Sequence, residues 1–223
     1  EGGGGEGGGE GGGGGGGGRL HDFSGYLDDV ETTDVTFRVE GRELHAHRIV
    51  LLCSRASDVF RAMLRHPMKE ATTSAAVEVE DLGYDVFRTL LTYLYTGDAE
   101  VPFHIAPALL LACERYMVYS LQLRCVDVMV RHLSSESLWE TLAHAGSLQL
   151  PAPPDTSPSQ QPPAEILREA AAHFLCHAPA FAQLVGSDEF KDHADDLVPR
   201  LHEALLTRLA QLREAWQQQQ QQQ

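Results

Sequence analysis

Eleven histidines, four cysteines and a serine seven residues after one of the histidines are the side chains here that could carry out chemistry. His173 and His177 stand four apart, so on a helix they share one face, the spacing of a zinc-binding helix. The residues between them are Phe-Leu-Cys, with no general-base glutamate after the first histidine, and the zinc reading is disfavoured. His45 and His47 are separated by one residue where a strand passes into a helix, and side chains diverge there; packing is the better account than ligation. Ser54 follows His47, yet no oxyanion-hole arrangement accompanies the pair. No Gly-x-Ser-x-Gly elbow and no phosphate-cradling glycine loop occurs. The cysteines, Cys53, Cys113, Cys125 and Cys176, lie far apart in apolar runs, none in a Cys-x-x-Cys pair, and read as reduced, buried thiols. The expectation is a non-enzyme with no metal and no cofactor.

The elements that carry these residues are legible in the hydrophobic periodicity. Asp34 to Val39 alternates apolar and polar residues, Glu40-Gly41 supplies a turn, and Arg42 to Ala46 resumes the alternation, which predicts a β-hairpin. Ala76 to Glu80 predicts a further short strand. Arg48 to Cys53 predicts a short buried helix. Ser57 or Asp58 caps the next, with Val59, Phe60, Met63 and Leu64 on its apolar face. Tyr84 to Thr96 repeats apolar residues at helical spacing and meets Gly97 as a stop. Helices follow over Ala106 to Tyr116, Tyr119 to Leu133, Leu138 to Gly146 with a Ser135 cap, Glu165 to His177, Phe181 to Val185, and Asp196 to Trp216. In the last, Leu197, Leu201, Leu205, Leu209, Leu212 and Trp216 read as one stripe, with Asp196 as cap and Pro199 in the first turn. The order is hairpin, two helices, strand, then helices: an α+β fold with an α-helical extension.

Three segments fall outside this pattern. Residues 1–18 are almost pure glycine with glutamate, a composition that buries no apolar surface and reads as a disordered linker. Residues 150–164 are proline-rich, which forbids continuous helix and suggests an exposed loop. Residues 217–223 are a glutamine tail. The formal net charge of −15 argues against nucleic-acid and anionic-membrane partners, and the arginines and lysines between Arg38 and Lys69 are interspersed with carboxylates as a mixed solvated surface. No apolar stretch approaches the roughly 20 residues a membrane helix needs. An intracellular location, cytoplasmic or nuclear, is the expectation.

The wording of the middle segment resembles a known family. Asp34-Val-Thr-Phe, then Leu44-His-Ala-His-Arg-Ile-Val-Leu-Leu-Cys-Ser54, Val59-Phe-Arg-Ala-Met63, Tyr93-Leu-Tyr-Thr-Gly97, Leu109-Leu-Leu-Ala-Cys-Glu-Arg-Tyr116 and Leu121-Gln-Leu-Arg-Cys125 occur in the order and spacing of BTB/POZ domains. The resemblance covers about residues 20–133. It is nearest to the domains of plant-type armadillo proteins and of MATH-BTB adaptors, and residues 134–216 resemble a shortened BACK extension. It implies a BTB/POZ fold, a homodimer, and recruitment of a cullin-3 type ubiquitin-ligase scaffold for an unknown substrate protein; an oligomerising scaffold in transcription or signalling is the alternative. By the same resemblance, Met68 and Glu70 stand at the family's hydrophobic-x-Glu cullin motif, with Tyr116 on the same surface or in the core. The dimer interface maps to Tyr26, Leu27, Asp34, His47 and Arg48, with Asp34 and Arg48 as a buried ion pair.

Overall fold

The structure, a computed structural model, describes residues 23–53, 57–65, 76–148, 161–179 and 181–221. The glycine-rich start, Ser54, Met68, Glu70 and most of the proline-rich segment lie outside those residues. Strands β1 (Val35–Val39) and β2 (Arg42–Ala46) form the expected antiparallel hairpin, with Val35 opposite Ala46 and Val39 opposite Arg42. Strand β3 (Val77–Val79) joins β1 in parallel, giving the order β2-β1-β3. Alternation sorts the two faces. Phe37, Val39, Leu44 and Ala46 are buried, while Arg38 on the open face donates to Glu43 at 3.0 Å and Glu78 at 2.8 Å, tying the three strands across their surface.

The hairpin turn does a second job. Glu40 and Gly41 both have positive φ, 50° and 75°, the backbone a two-residue hairpin loop requires. Glycine adopts it freely, whereas a glutamate needs a compensating contact. The Glu40 carboxylate provides one by accepting the Tyr84 backbone N–H at 3.0 Å. Tyr84 opens helix α3, whose preceding Gly83 has no side chain with which to cap it.

Around the sheet stand α1 (Arg48–Cys53), α2 (Asp58–Arg65), α3 (Tyr84–Thr96), α4 (Ala106–Arg115) and α5 (Tyr119–Arg131). Ser57 caps α2 as expected, its hydroxyl accepting from the Phe60 N–H at 3.3 Å and donating to the Tyr116 carbonyl at 2.5 Å. Gly97 ends α3 in the left-handed conformation, donating to Tyr93 at 2.8 Å. At the end of α4 the left-handed position is taken by Met117 (φ 56°), and the Val118 N–H reaches the Cys113 carbonyl at 2.8 Å, a Schellman closure on a non-glycine residue. Phe37, Phe60, Phe87 and Tyr116 meet at the centre, Phe60 stacked on Tyr116 with centroids 4.7 Å apart.

The extension contains α6 (Leu138–Ser147), α7 (Pro163–His177), α8 (Phe181–Val185), α9 (Asp188–Asp192) and α10 (Ala194–Gln221). A second cluster of Leu138, Leu142, Ala171, Ala172, Leu175, Phe190, Leu197 and Leu201 holds them together, while Ala145 and Leu167 on α6 and α7 belong to the first core and join the two.

Several expectations are corrected here. Helix α7 begins at Pro163, which serves as a first-turn proline. Helix α9, not anticipated from the sequence, lies between the last two expected helices, where Ser187 accepts from the Phe190 N–H and caps it. Helix α10 starts at Ala194 rather than after Asp196, which places Pro199 inside it, and continues into the glutamine run as far as Gln221. Ser135 does not cap α6: Ser137 occupies that position, and its hydroxyl pairs with that of Ser134 at 3.1 Å. Cys53 is exposed, unlike the three buried thiols.

Candidate interaction surface at the hairpin end

The residues assigned to a dimer interface converge on the end of the hairpin where β2 passes into α1. Tyr95, on α3, is buried, but its hydroxyl accepts the His47 backbone N–H at 2.6 Å and lies 3.1 Å from His47 Nδ1. The other ring nitrogen of His47 meets the Thr32 hydroxyl at 3.2 Å. Burial pushes the Tyr95 hydroxyl above its ordinary value, so it stays a neutral group able to donate and accept at once. Asp28 reads the adjoining residue twice, accepting the His45 N–H at 3.0 Å and donating its own N–H to the His45 carbonyl at 2.9 Å.

Asp34 and Arg48 lie side by side, though not as the expected ion pair. The Asp34 carboxylate accepts the backbone N–H of Arg48 at 2.6 Å, and the Arg48 guanidinium donates to the Leu64 carbonyl on α2. The first turn of α1 leaves backbone N–H groups without intrahelical partners, and a carboxylate at that end satisfies one of them directly. Arg48 is thereby free to tie α1 to α2.

The segments that supply this hydrogen-bonded frame also carry exposed apolar side chains. Phe23 is 40% exposed, Tyr26 55%, Val30 69% and Ile49 63%. The Tyr26 ring meets that of His47 edge to face, with centroids 6.3 Å apart, and Leu27 packs partly into the core beneath. Ser24–Tyr26 form a single 3-10 turn. Sequence reading singled out neither Val30 nor Ile49. In the run Arg48 to Cys53 every apolar residue looks equally buried, yet Leu51 alone is fully so; a period of 3.6 in so short a segment leaves the outward residue undetermined.

The remaining candidates are dispersed. Tyr116 is a core aromatic, stacked on Phe60, and burial raises its hydroxyl above the usual value. Met68 and Glu70 lie outside the described residues. His173 and His177 stack on each other at 4.3 Å, with His177 Nδ1 bonded to the His173 carbonyl at 2.8 Å. Among the described residues no three groups of the His, Cys, Asp or Glu type gather as a metal site, and no helix is long and apolar enough to cross a membrane.

Residues 23–133, which contain the hairpin, its frame and the aromatic core, match the family model for the BTB/POZ domain. The chain contains a BTB/POZ domain. Among its relatives, the Arabidopsis thaliana "ARM repeat protein interacting with ABF2" is 34% identical over 113 residues, 51% of this chain and 16% of the relative. The mouse "TD and POZ domain-containing protein 4" is 39% identical over 114 residues, 49% of this chain and 30% of the relative. Among solved structures, the BTB domain of zebrafish PATZ1 aligns at 25% identity with a TM-score of 0.41, covering 49% of this chain and 86% of that one. The chain therefore spans less than a third of the length of these curated relatives. A BTB/POZ domain with such relatives supports a protein-interaction role.

Proposed function

We propose that the chain is an adaptor that pairs with a second copy through the hairpin-end face and presents Met68 and Glu70 to a cullin-3 type scaffold, bringing a bound substrate protein to a ubiquitin ligase. The observation that carries the pairing is the exposure of Tyr26, Val30 and Ile49, each more than half exposed, in segments that also supply the network: Tyr26 against His47, Val30 between Asp28 and Thr32, and Ile49 next to Arg48. Covering an exposed Ile or Tyr side chain contributes about 1.5 to 3 kcal/mol, and a frame already fixed by hydrogen bonds loses little further entropy when a partner lands on it. For the cullin contact, support comes from the family's motif alone: a methionine fills an irregular pocket, and a carboxylate fixes orientation by a charge-assisted bond. On this reading residues 134–216 are a BACK-like extension, and a domain outside this chain holds the substrate. The compartment that suits free, unpaired cysteines and this partner is the cytoplasm or nucleus.

Light scattering on the purified chain, combined with titration of a cullin-3 amino-terminal domain, tests both parts. The expected result is a dimer that Ile49→Asp converts to monomer, and cullin binding that Glu70→Arg weakens by at least about tenfold. A monomeric wild-type chain overturns the pairing. A dimer blind to the cullin leaves instead an oligomerising scaffold of transcription or signalling.

A further inference from the structure

Helix α10 has two apolar faces, and the fold uses one. Leu197 and Leu201 are buried against α7 and Phe190, with Ala204 following on the same side. The other face carries Val198, His202, Leu205 and Leu209, separated by four, three and four residues, and the sequence continues the alternation with Leu212 and Trp216. This 3.5-residue repeat is the seam of a coiled coil, whose occupant is another helix. The seam is open: Val198 is 54% exposed, Leu205 39%, Leu206 beside it 55% and Leu209 62%. Its N-terminal half forms the floor of a groove of about 430 Å³ walled by Phe181, Val185 and Phe190.

The charges flanking the seam select the partner. Residues next to the two seam positions set which helix pairs with which, and here they include Arg208 and Arg213, while Glu203 and Glu214 fall on the side away from the seam. On a chain of net charge −15 this is a locally cationic rim. Parallel pairing with a second copy would set Arg208 opposite Arg213 of that copy, a repulsion. Neither the glycine-rich residues 1–18 nor the proline-rich residues 150–164 contain an apolar seam with acidic flanks to fold back onto it.

We propose that the outer face of α10 is a docking site for an amphipathic helix of another protein, with a leucine-type seam flanked by aspartate or glutamate. It is separate from the hairpin-end face and does not depend on the role given to that face.

The full chain is titrated, by fluorescence anisotropy at low salt, with a labelled synthetic helix carrying leucine at the seam positions and glutamate at the flanks, and with its lysine-flanked counterpart. The glutamate peptide is expected to bind about tenfold or more tighter than the lysine peptide. The double variant Leu205→Glu, Leu209→Glu is expected to lose binding, and Arg208→Glu with Arg213→Glu to reverse the preference. Far-UV circular dichroism melts establish that these exposed substitutions leave the fold intact. Equal binding of the two peptides, binding of neither, or binding indifferent to the leucine substitutions overturns the proposal. So does light scattering in which the double leucine variant, and not Ile49→Asp, lowers the oligomeric mass, since the seam is then filled by a second copy.

Discussion

The domain over residues 23–133 and the helices from α7 to α10 are both built from apolar periodicity, but they close it differently. In the first, strand and helix faces converge on four aromatic rings, and Phe37, Phe60 and Phe87 have no solvent exposure. In the second, the buried set includes small residues such as Ala171 and Ala172, and α10 turns Leu205, Leu206 and Leu209 outward. The hairpin end is an open apolar surface on a rigid base; the α10 seam is an open apolar surface on a lighter one. Rigid bases lose little on binding, so the contrast bears on which surface binds without rearranging.

The sharpest way to break this comparison is to remove the centre of the stronger core. Phe60 stacks on Tyr116 and approaches Phe37 and Phe87 within 6.2 Å of ring centroid. Phe60→Ala is expected to cost about 3 to 5 kcal/mol in urea unfolding, the range for a fully buried ring that leaves a cavity among stiff neighbours. A loss below about 1 kcal/mol would mean that the quartet relaxes freely and that the two regions are equally soft.

Leu197→Ala probes the weaker core. Leu197 is fully buried, but its cluster borders the open groove, where neighbours can collapse into the space. The expected cost is about 2 kcal/mol, the low end for leucine truncation. Native-state hydrogen exchange should show protection falling across α7 and α10 while the amides of β1 and β2 keep theirs. Uniform loss across the chain would show the two clusters unfolding as one unit through Ala145 and Leu167.

A finer contrast lies inside the domain, between two non-glycine residues in the left-handed conformation. Met117 (φ 56°) is half exposed, whereas Glu40 (φ 50°) spends its carboxylate on the Tyr84 N–H. The backbone strain is roughly 1 kcal/mol for each, partly offset in a glycine variant by the freer unfolded chain. Met117→Gly is therefore expected to raise stability by about 0.5 kcal/mol, and Glu40→Gly to lower it because the α3 cap is lost. Thermal melts of the pair read the opposite signs; equal signs would show that the cap contributes nothing.

How far the sequence foretold this depends on the range over which each signal acts. The hairpin, its turn and α3 with its Gly97 stop are local patterns, and the structure has them within a residue or two. The stripe on α10 misled for a physical reason. Leucines spaced four apart advance 40° beyond each full turn, so Leu197 and Leu201 face inward while Leu205 and Leu209 have rotated toward solvent. The Asp34 and Arg48 pairing was half legible: proximity followed from the motif, but the choice of a backbone N–H over the guanidinium depends on where α1 begins, which is a tertiary fact. Tyr95 beneath His47 joins residues 48 apart in sequence, and no local pattern announces it. Tyr116 could be read either way from spacing, and the stack on Phe60 decides for the core.

The smallest expected effect separates surface electrostatics from packing. Asp98, after the Gly97 stop, is paired with Arg124 on α5, and the hydrogen bond and charge of that guanidinium hold its carboxyl below the ordinary carboxylate range. A carboxyl whose folded value lies below its unfolded value adds stability that is fully present above the unfolded value and disappears as pH falls through the folded one. Its contribution is thus intact near neutrality and gone in strong acid. Asp98 is 80% exposed, so solvent screens the pair and the effect is slight. Asp98→Asn should flatten the acid limb of the stability profile a little and reduce its sensitivity to added salt, with melting near neutrality almost unchanged. Arg124→Gln should do the same, since either change removes the Asp98–Arg124 ion pair. If Arg124→Gln instead lowers melting substantially at neutral pH, the arginine acts through its contacts with the Tyr93 ring and the Gly97 carbonyl, and the strap between α3 and α5 is packing rather than charge.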